Sequence, residues 1–190
     1  MTERTVSDVV VDLIDVLEPS GETYAFGGAV ALAAWSEPRA TADVDVVLWI
    51  PLSRVDAAID LVQKAGVAID PTSARTEAED RGMFIGQAGR VRVDVFVPSI
   101  PFYDEAEGRR VRTEIANRPT WVHSPEVLAV FKMLFFRPKD LVDVERLVQV
   151  RGDDFDRQFV RKALIDMMGT DPRVEKWDAI CERNPPASPR

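Results

Sequence analysis

Apolar residues at Val9, Val10, Leu13, Ile14 and Leu17 repeat at the spacing of one helix face, which predicts a helix over 7–17 capped by Ser7 and ended by Pro19-Ser20-Gly21. Tyr24-Ala25-Phe26 reads as a short strand running into Gly27-Gly28, and the Ala- and Leu-rich stretch 29–35 as a helix stopped near Pro38. A polar link over 39–42 leads to a strand over 43–50 with a strongly apolar body. Periodicity predicts a helix over 54–65 closed by Gly66, then a short strand at 67–69 and a polar loop over 72–80. Met83-Phe84-Ile85 and the stretch 91–97 flank Gly86-Gln87-Ala88-Gly89-Arg90, a hairpin signal. Pro98 to Pro101 closes the sheet region, and beyond Tyr103 the pattern turns helical. Ser124-Pro125-Glu126 combines a capping hydroxyl, a first-turn proline and an acid on the positive end of the dipole, and opens a helix to about 136. Further helices are expected over 139–150, over 155–168 and from Asp171-Pro172. The organisation is α/β: a core over 1–104, a helical subdomain over 105–183 that completes the site, and a disordered tail over 184–190.

Composition narrows the chemistry. With 190 residues, 46% of them hydrophobic, the chain suffices for one compact domain and an ordinary core. No run of about 18 uncharged apolar residues exists, so no membrane-spanning helix is expected, and the first residues lack the apolar centre of a signal peptide. Cys181 stands alone, which excludes an internal disulfide and a cysteine zinc site. His123 is the only histidine, which excludes multi-histidine metal centres. A reducing, cytoplasmic setting is expected. The net charge of −8 is uneven: residues 1–104 hold 17 acids and 8 bases, residues 105–190 hold 15 acids and 16 bases. A generic nucleic-acid coat would be basic overall. An acidic site in the first part, faced by basic residues from the second, fits the charges better.

Asp43 and Asp45 stand two apart at the start of a strand, so both side chains leave the same face. Carboxylates this close raise each other's pKa unless a cation lies between them, and all-oxygen ligands suit Mg²⁺. Asp94 sits inside Val91-Arg92-Val93-Asp94-Val95-Phe96-Val97, where an ionised group is costly unless it is paired or ligating. The residues alone leave two arrangements open: three metal-binding acids, or Asp94 paired with Arg92 and Asp43 and Asp45 at a solvated strand end. Gly27-Gly28, between a strand and a helix, aims backbone N–H groups at an anion and lets a phosphate approach closely. The ordered set of strand, Gly-Gly, helix, Asp-x-Asp strand and later Asp calls for phosphate on the helix end and metal on three carboxylates. In phosphoryl or nucleotidyl transfer, two metals about 4 Å apart activate the attacking oxygen and stabilise the leaving one.

With these residues in that order, the sequence resembles the nucleotidyltransferases of the DNA polymerase beta superfamily, whose signature is Gly-Gly or Gly-Ser, a helix, Asp-x-Asp/Glu and a later Asp. The 14 residues between Gly28 and Asp43 slightly exceed that superfamily's usual gap. Arg39-x-Thr41-x-Asp43-x-Asp45, Ser124-Pro125-Glu126-Val127-Leu128, Lys132 and Arg137-Pro138-Lys139-Asp140-Leu141-Val142-Asp143 resemble a narrower branch, the AbiEii-like proteins, which include Men-type toxins of type IV toxin–antitoxin and abortive-infection systems. The resemblance covers roughly residues 24–147. It implies a polymerase-beta-type mixed sheet with flanking helices. It also implies Mg²⁺-dependent transfer of an NMP from an NTP to an acceptor hydroxyl, by two metals with Mn²⁺ a possible substitute. A tRNA 3′ end would be the acceptor, growth arrest the outcome, and a cognate antitoxin, kinase-like in some systems, the partner. Carried over by position, Gly27, Gly28, Arg39, Thr41, Lys132 and Lys139 would surround the nucleotide. Asp43, Asp45 and Asp94 would bind metal, with Asp94 activating the acceptor hydroxyl. Asp140 and Asp143 would form the rear wall through Lys139 and Arg137. Thr41 stands where some Men-type toxins carry a residue phosphorylated by the antitoxin, and a phosphate there would add about −1.5 to −2 charges beside the carboxylates.

Several of these residues also admit structural readings. Lys132, among Val130, Phe131, Met133, Leu134 and Phe135, could snorkel from an apolar helix. Lys139 and Asp143 could form an exposed i,i+4 pair. Arg109, Arg110, Arg112 and Arg118 form either a solvated basic loop or a clamp on triphosphate or RNA. His123 reads as a surface or cap-adjacent residue rather than a base, and Trp121 as the best stacking candidate among the tryptophans. Two further functions stay open on these residues: transfer to a protein side chain or small molecule such as an aminoglycoside, and a silent module that binds nucleotide or a partner.

Overall fold

A computed structural model describes residues 4–186. In chain order the elements are α1 (Val6–Ser20), β1 (Tyr24–Phe26), α2 (Gly28–Trp35), β2 (Asp43–Leu48), α3 (Val55–Lys64), α4 (Pro71–Arg81), β3 (Met83–Ala88), β4 (Val91–Phe96), α5 (Phe102–Gly108), β5 (Arg110–Ile115), β6 (Arg118–His123), α6 (Pro125–Phe135), α7 (Pro138–Arg151), α8 (Arg157–Met168) and α9 (Pro172–Arg183). The strands form one mixed sheet in the order β3-β4-β2-β1-β6-β5. β2 runs parallel to β4 and antiparallel to β1, and β1 runs parallel to β6. The site-bearing strands are therefore the central ones. Among the described residues no helix is long and apolar enough to cross a membrane.

The local signals account for most elements. Ser124 caps α6 by accepting from the Val127 N–H at 3.2 Å, with Pro125 in the first turn. α1 is capped two residues earlier than expected, because Thr5 and Asp8 form a reciprocal capping box that outcompetes Ser7. Residues 72–80 are helical, not a loop: Asp70 caps α4, Pro71 opens it and Gly82, at φ +67°, ends it. Only Ala74 and Ala78 of α4 are buried, so its contact face is a two-alanine stripe too weak to register as periodicity. Residues 67–69 form no strand, only an isolated bridge from Ala68 to Gln87. The hairpin turn is confined to Gly89-Arg90, since Gly86, Gln87 and Ala88 belong to β3. A Cβ on Gly86 would lie 2.4 Å from Val67 Cγ1, so this glycine serves packing rather than the turn.

The largest correction concerns the sheet, which does not end at Pro101. β5 and β6 form a hairpin that adds two strands beyond Tyr103. Its turn residues, Ala116 and Asn117, both have positive φ, the geometry of the primed turns that match strand twist. Alanine is a poor marker for that turn, and the arginine-rich alternation around it hid the strands. Residue 104 thus falls inside α5, and the sheet continues to His123. At the other end Asn184 is tied down, accepting from Gln149 Nε2 at 2.9 Å and donating to the Ile180 carbonyl at 2.9 Å. Residues 187–190 of the expected tail lie outside the described residues.

Residues of α1, the sheet, α6, α7, α8 and α9 share one buried cluster, including Leu13, Phe26, Phe84, Leu128, Leu147 and Trp177. The C-terminal helices therefore extend the core under the site. Trp177, fully buried in α9 against Phe155, anchors that helix in the cluster. Trp177→Ala is expected to cost about 3–5 kcal/mol. Urea unfolding followed by circular dichroism should show one transition at a lower midpoint. Two separate transitions, with the sheet unaffected, would contradict the shared core.

Candidate active site

The parallel register of β2 and β4 sets Asp45 beside Asp94 and Asp43 beside Arg92. Side chains alternate across a strand, so these four leave one face of the sheet together. Each acid meets a different environment there. The Thr41 hydroxyl donates to Asp43 Oδ1, and Lys139 Nζ stands 4.0 Å from Asp43 Oδ2. Burial alone would raise the Asp43 carboxyl, but Thr41, Lys139 and Arg39 together hold it below its ordinary value. Asp94 is buried and accepts from Arg92 Nε at 2.6 Å, while Arg92 itself is half exposed. Burial outweighs that arginine and raises the Asp94 carboxyl. The Asp45 carboxylate makes no hydrogen bond or ion pair among the described residues. Burial, then Asp43 and Asp94, push its carboxyl up to about 6.

The diglycine turn is built around Asp45. Gly27 caps α2, and its N–H donates to the Asp45 carbonyl at 2.9 Å. Gly28 has φ +51°, and a Cβ there would lie 1.7 Å from Asp45 Oδ2. Only glycine meets both demands. α2 has no side-chain cap, so its first N–H groups stay available to an anion next to the carboxylates.

The opposite wall comes from α6 and α7. Phe136, at φ +56°, ends α6, and Pro138 opens α7 directly after it, so the two helices meet in a tight corner. Lys132 is buried, not snorkelling, and its Nζ donates to Asp143 Oδ2 at 2.7 Å and stands 3.7 Å from Asp140 Oδ1. Arg39 Nε reaches both Asp143 oxygens at 3.2 Å. Burial would raise Asp143, but Lys132 and Arg39 hold it low. Asp140 accepts from the Arg137 N–H at 3.2 Å and from its Nε at 2.6 Å. Lys139 faces Asp43 across the cleft instead of pairing with Asp143. Asp140 and Asp143 thus orient the cations of this wall, Lys132, Arg39 and Arg137.

Gly27, Gly28, Arg39, Asp43, Asp45, Lys132, Arg137, Lys139 and Asp140 line one cleft. Asp94 and Thr41 stand next to this lining but not in it. The four arginines of 109–118 do not face it. Arg109 covers the Phe159 ring at 3.7 Å, Arg110 lies over Trp121 and donates to the Tyr24 carbonyl, Arg112 pairs with Glu18, and Arg118 Nε donates to Asp15 at 2.6 Å. They bind the β5–β6 hairpin to the body of the protein. Trp121, covered by Arg110 and Arg112, is likewise outside the cleft.

His123 is cap-adjacent, as expected, but not on the surface. It is buried and lines the cleft with Tyr103 and Phe131. Register explains this: Phe26 pairs with both Val46 and Val122, so their neighbours Asp45 and His123 share the other sheet face. The missing signal was β6, whose parity assigns the face.

Among the described residues no group of three or more His, Cys, Asp or Glu side chains is gathered as a metal site. Asp94, the third acid expected there, is bonded to Arg92. Asp43 and Asp45 nonetheless fit a hard divalent cation, because both face the cleft and the Asp45 carboxylate makes no ion pair among the described residues. Mg²⁺ characteristically takes one or two carboxylates and completes its shell with water and substrate phosphate.

Comparison with known proteins bears on the fold and the family. The structure is similar to that of the antibiotic-resistance factor ANT(2'')-Ia, with TM-score 0.54 and 16% identity over 96% of this chain and 94% of that one. A nucleotidyltransferase-like antigenic protein from Paracoccidioides brasiliensis gives TM-score 0.52 and 18% identity over 98% and 96%. The lincosamide antibiotic adenylyltransferase LnuA, lincomycin-bound, gives TM-score 0.52 and 14% identity over 78% and 99%. At such identities the likeness establishes the fold. No curated protein matches the sequence. The family model "Nucleotidyl transferase AbiEii toxin, Type IV TA system" matches residues 12–186. With that match over nearly the whole chain, on a fold shared with nucleotidyltransferases, the protein belongs to the AbiEii family of nucleotidyl transferase toxins and is a nucleotidyltransferase.

Proposed function

We propose that the protein moves an NMP from an NTP to an acceptor hydroxyl, with a tRNA 3′ end as acceptor and arrested growth as the outcome, in the cytoplasm. The observation that carries this reading is the contact of Asp45 with Gly28 at the open end of α2, facing Lys132 across the cleft. The α2 N–H groups hold the triphosphate, and Lys132, Lys139 and Arg137 offset its charge from the other wall. The acceptor oxygen attacks the α-phosphorus, the bond to the β-phosphate breaks, and pyrophosphate leaves. Asp43 and Asp45 would hold Mg²⁺, which supplies Lewis-acid stabilisation of the phosphoryl oxygens. Asp94, with its raised carboxyl, takes the acceptor proton once Arg92 swings into solvent.

A second acceptor class has a specific observation behind it. The four arginines of 109–118 are engaged with Glu18, Asp15 and aromatic rings, not free to track an RNA backbone. A short or small acceptor is therefore the alternative. Incubation with each labelled NTP plus separate RNA, protein and aminoglycoside fractions decides: label in RNA supports the tRNA reading, and label confined to another fraction replaces it.

Thr41 suits control by a kinase-like antitoxin. Its hydroxyl is part-buried and donates to Asp43 Oδ1, so a phosphate there would set about −1.5 to −2 charges against the carboxylates.

Asp43→Asn should abolish NMP transfer by at least 10²-fold while leaving the fold intact. Asp45→Asn should do the same and also stabilise the nucleotide-free protein. The folded-state value for Asp45, about 6, lies above the ordinary 3.8, so the carboxyl supports folding at low pH and costs stability as pH rises through 6. At pH 8 the Asn variant should be more stable by roughly 1–2 kcal/mol, and below pH 4 the gain should vanish. Thermal melts across pH check this, and an Asn variant less stable at pH 8 contradicts it.

The two glycines should separate. A Cβ on Gly27 would meet His123 Cδ2 at an ordinary 3.4 Å, whereas on Gly28 it would overlap Asp45. Gly28→Ala should abolish transfer and Gly27→Ala should retain a measurable rate; equal loss in both refutes the steric account.

Co-expression with the cognate antitoxin should add one phosphate to the wild-type mass and none to Thr41→Ala. A Thr41→Ala protein that still gains it eliminates this site.

A further inference from the structure

His123 takes part in no step described so far, yet it is among the most deeply placed groups of the cleft. It is 2% exposed, and its Nδ1 has no hydrogen-bond partner among the described residues. Its backbone is pinned by Trp35 Nε1, which donates to the His123 carbonyl at 2.8 Å. Its ring is packed by Phe131, with centroids 5.2 Å apart, and by Trp49 at 6.0 Å. The ring is therefore aimed, not loose. The Cδ2–Nε2 edge lies over the diglycine turn, since a Cβ on Gly27 would stand 3.4 Å from Cδ2 and 3.8 Å from Nε2. A buried polar ring with an unpaired nitrogen costs stability, and an apolar ring would fill this aromatic setting without that cost.

We propose that His123 binds the nucleotide substrate, its Nε2–H donating a hydrogen bond to a phosphate oxygen held at the N-terminus of α2. This rests on the nucleotidyltransferase reading and adds a ligand that the Gly-Gly and Asp-x-Asp motifs do not contain. Position argues for phosphate over base, because the Nε2 edge sits at the capping residue whose helix offers free N–H groups. Electrostatics agree: burial and Arg110 keep the ring neutral, so one nitrogen holds a single proton. Nδ1 has no acceptor to receive that proton, and an anion at Nε2 selects the Nε2–H tautomer.

The test uses full-length wild type, His123→Phe and His123→Gln, with Mg²⁺. Calorimetric titration is made with the preferred NTP and with inorganic tripolyphosphate, alongside thermal melts of the free proteins. His123→Phe should bind both probes about tenfold more weakly while melting no lower than wild type, and His123→Gln, which keeps a donor, should recover most of the affinity. Unchanged affinity in His123→Phe overturns the proposal. Weaker binding of the NTP alone moves His123 to the base or sugar and overturns the phosphate contact. Equal losses in both variants with a lower melting temperature make the residue structural. A wild type that binds neither probe overturns the nucleotide reading itself, which separates that failure from failure of the His123 contact.

Discussion

A carboxylate without a counter-ion organises this molecule. Asp45 leaves the sheet between two other acids, forms no ion pair among the described residues, feels Lys132 and Arg137 only from across the cleft, and presses its oxygen against a residue that has no side chain to offer. Water, a proton or a cation must answer that charge. Such a group is costly in the free protein, and its raised proton affinity expresses the cost. The fold accepts it because the same geometry brings the free N–H groups of α2 and the Asp43 oxygens to one place. Strain of this kind is typical of sites whose charge is completed by substrate.

The far wall is arranged on the opposite principle. Lys132 and Arg39 converge on Asp143, and Arg137 is gripped by Asp140, with both acids buried. Buried pairs contribute little net stability, since desolvation consumes most of their attraction. Their effect is positional: they fix where three positive charges stand relative to Asp43 and Asp45. Two acids thus serve to place bases, while two others line the facing side of the cleft. The sequence contains all four at unremarkable spacings, and only their partners tell them apart.

Legibility followed the range of the interactions. The diglycine turn, the Asp-x-Asp strand and the Ser-Pro-Glu helix start were readable because each is decided within a few residues. Asp94 was recognised as anomalous inside a valine-rich strand, and both of its possible partners were foreseen; the free protein has the arginine. Long-range effects were not readable. α4 has too narrow a buried stripe, and the β5–β6 hairpin turns on Ala116-Asn117 rather than on glycine. Without that hairpin, neither the face of His123 nor the fate of the four arginines could be assigned. Lys132 was placed by its family pattern, but its burial against Asp143 depends on a corner between two helices that no periodicity describes.

The most direct measurement is the titration of the Asp45 carboxyl carbon by ¹³C NMR, in the free protein and with Mg²⁺ and NTP. The account predicts a midpoint near 6 in the free protein. It also predicts that Mg²⁺ with NTP displaces the proton and moves the midpoint below the ordinary carboxylate range. An Asp45 that titrates near 4 in the free protein and ignores Mg²⁺ and NTP would contradict it.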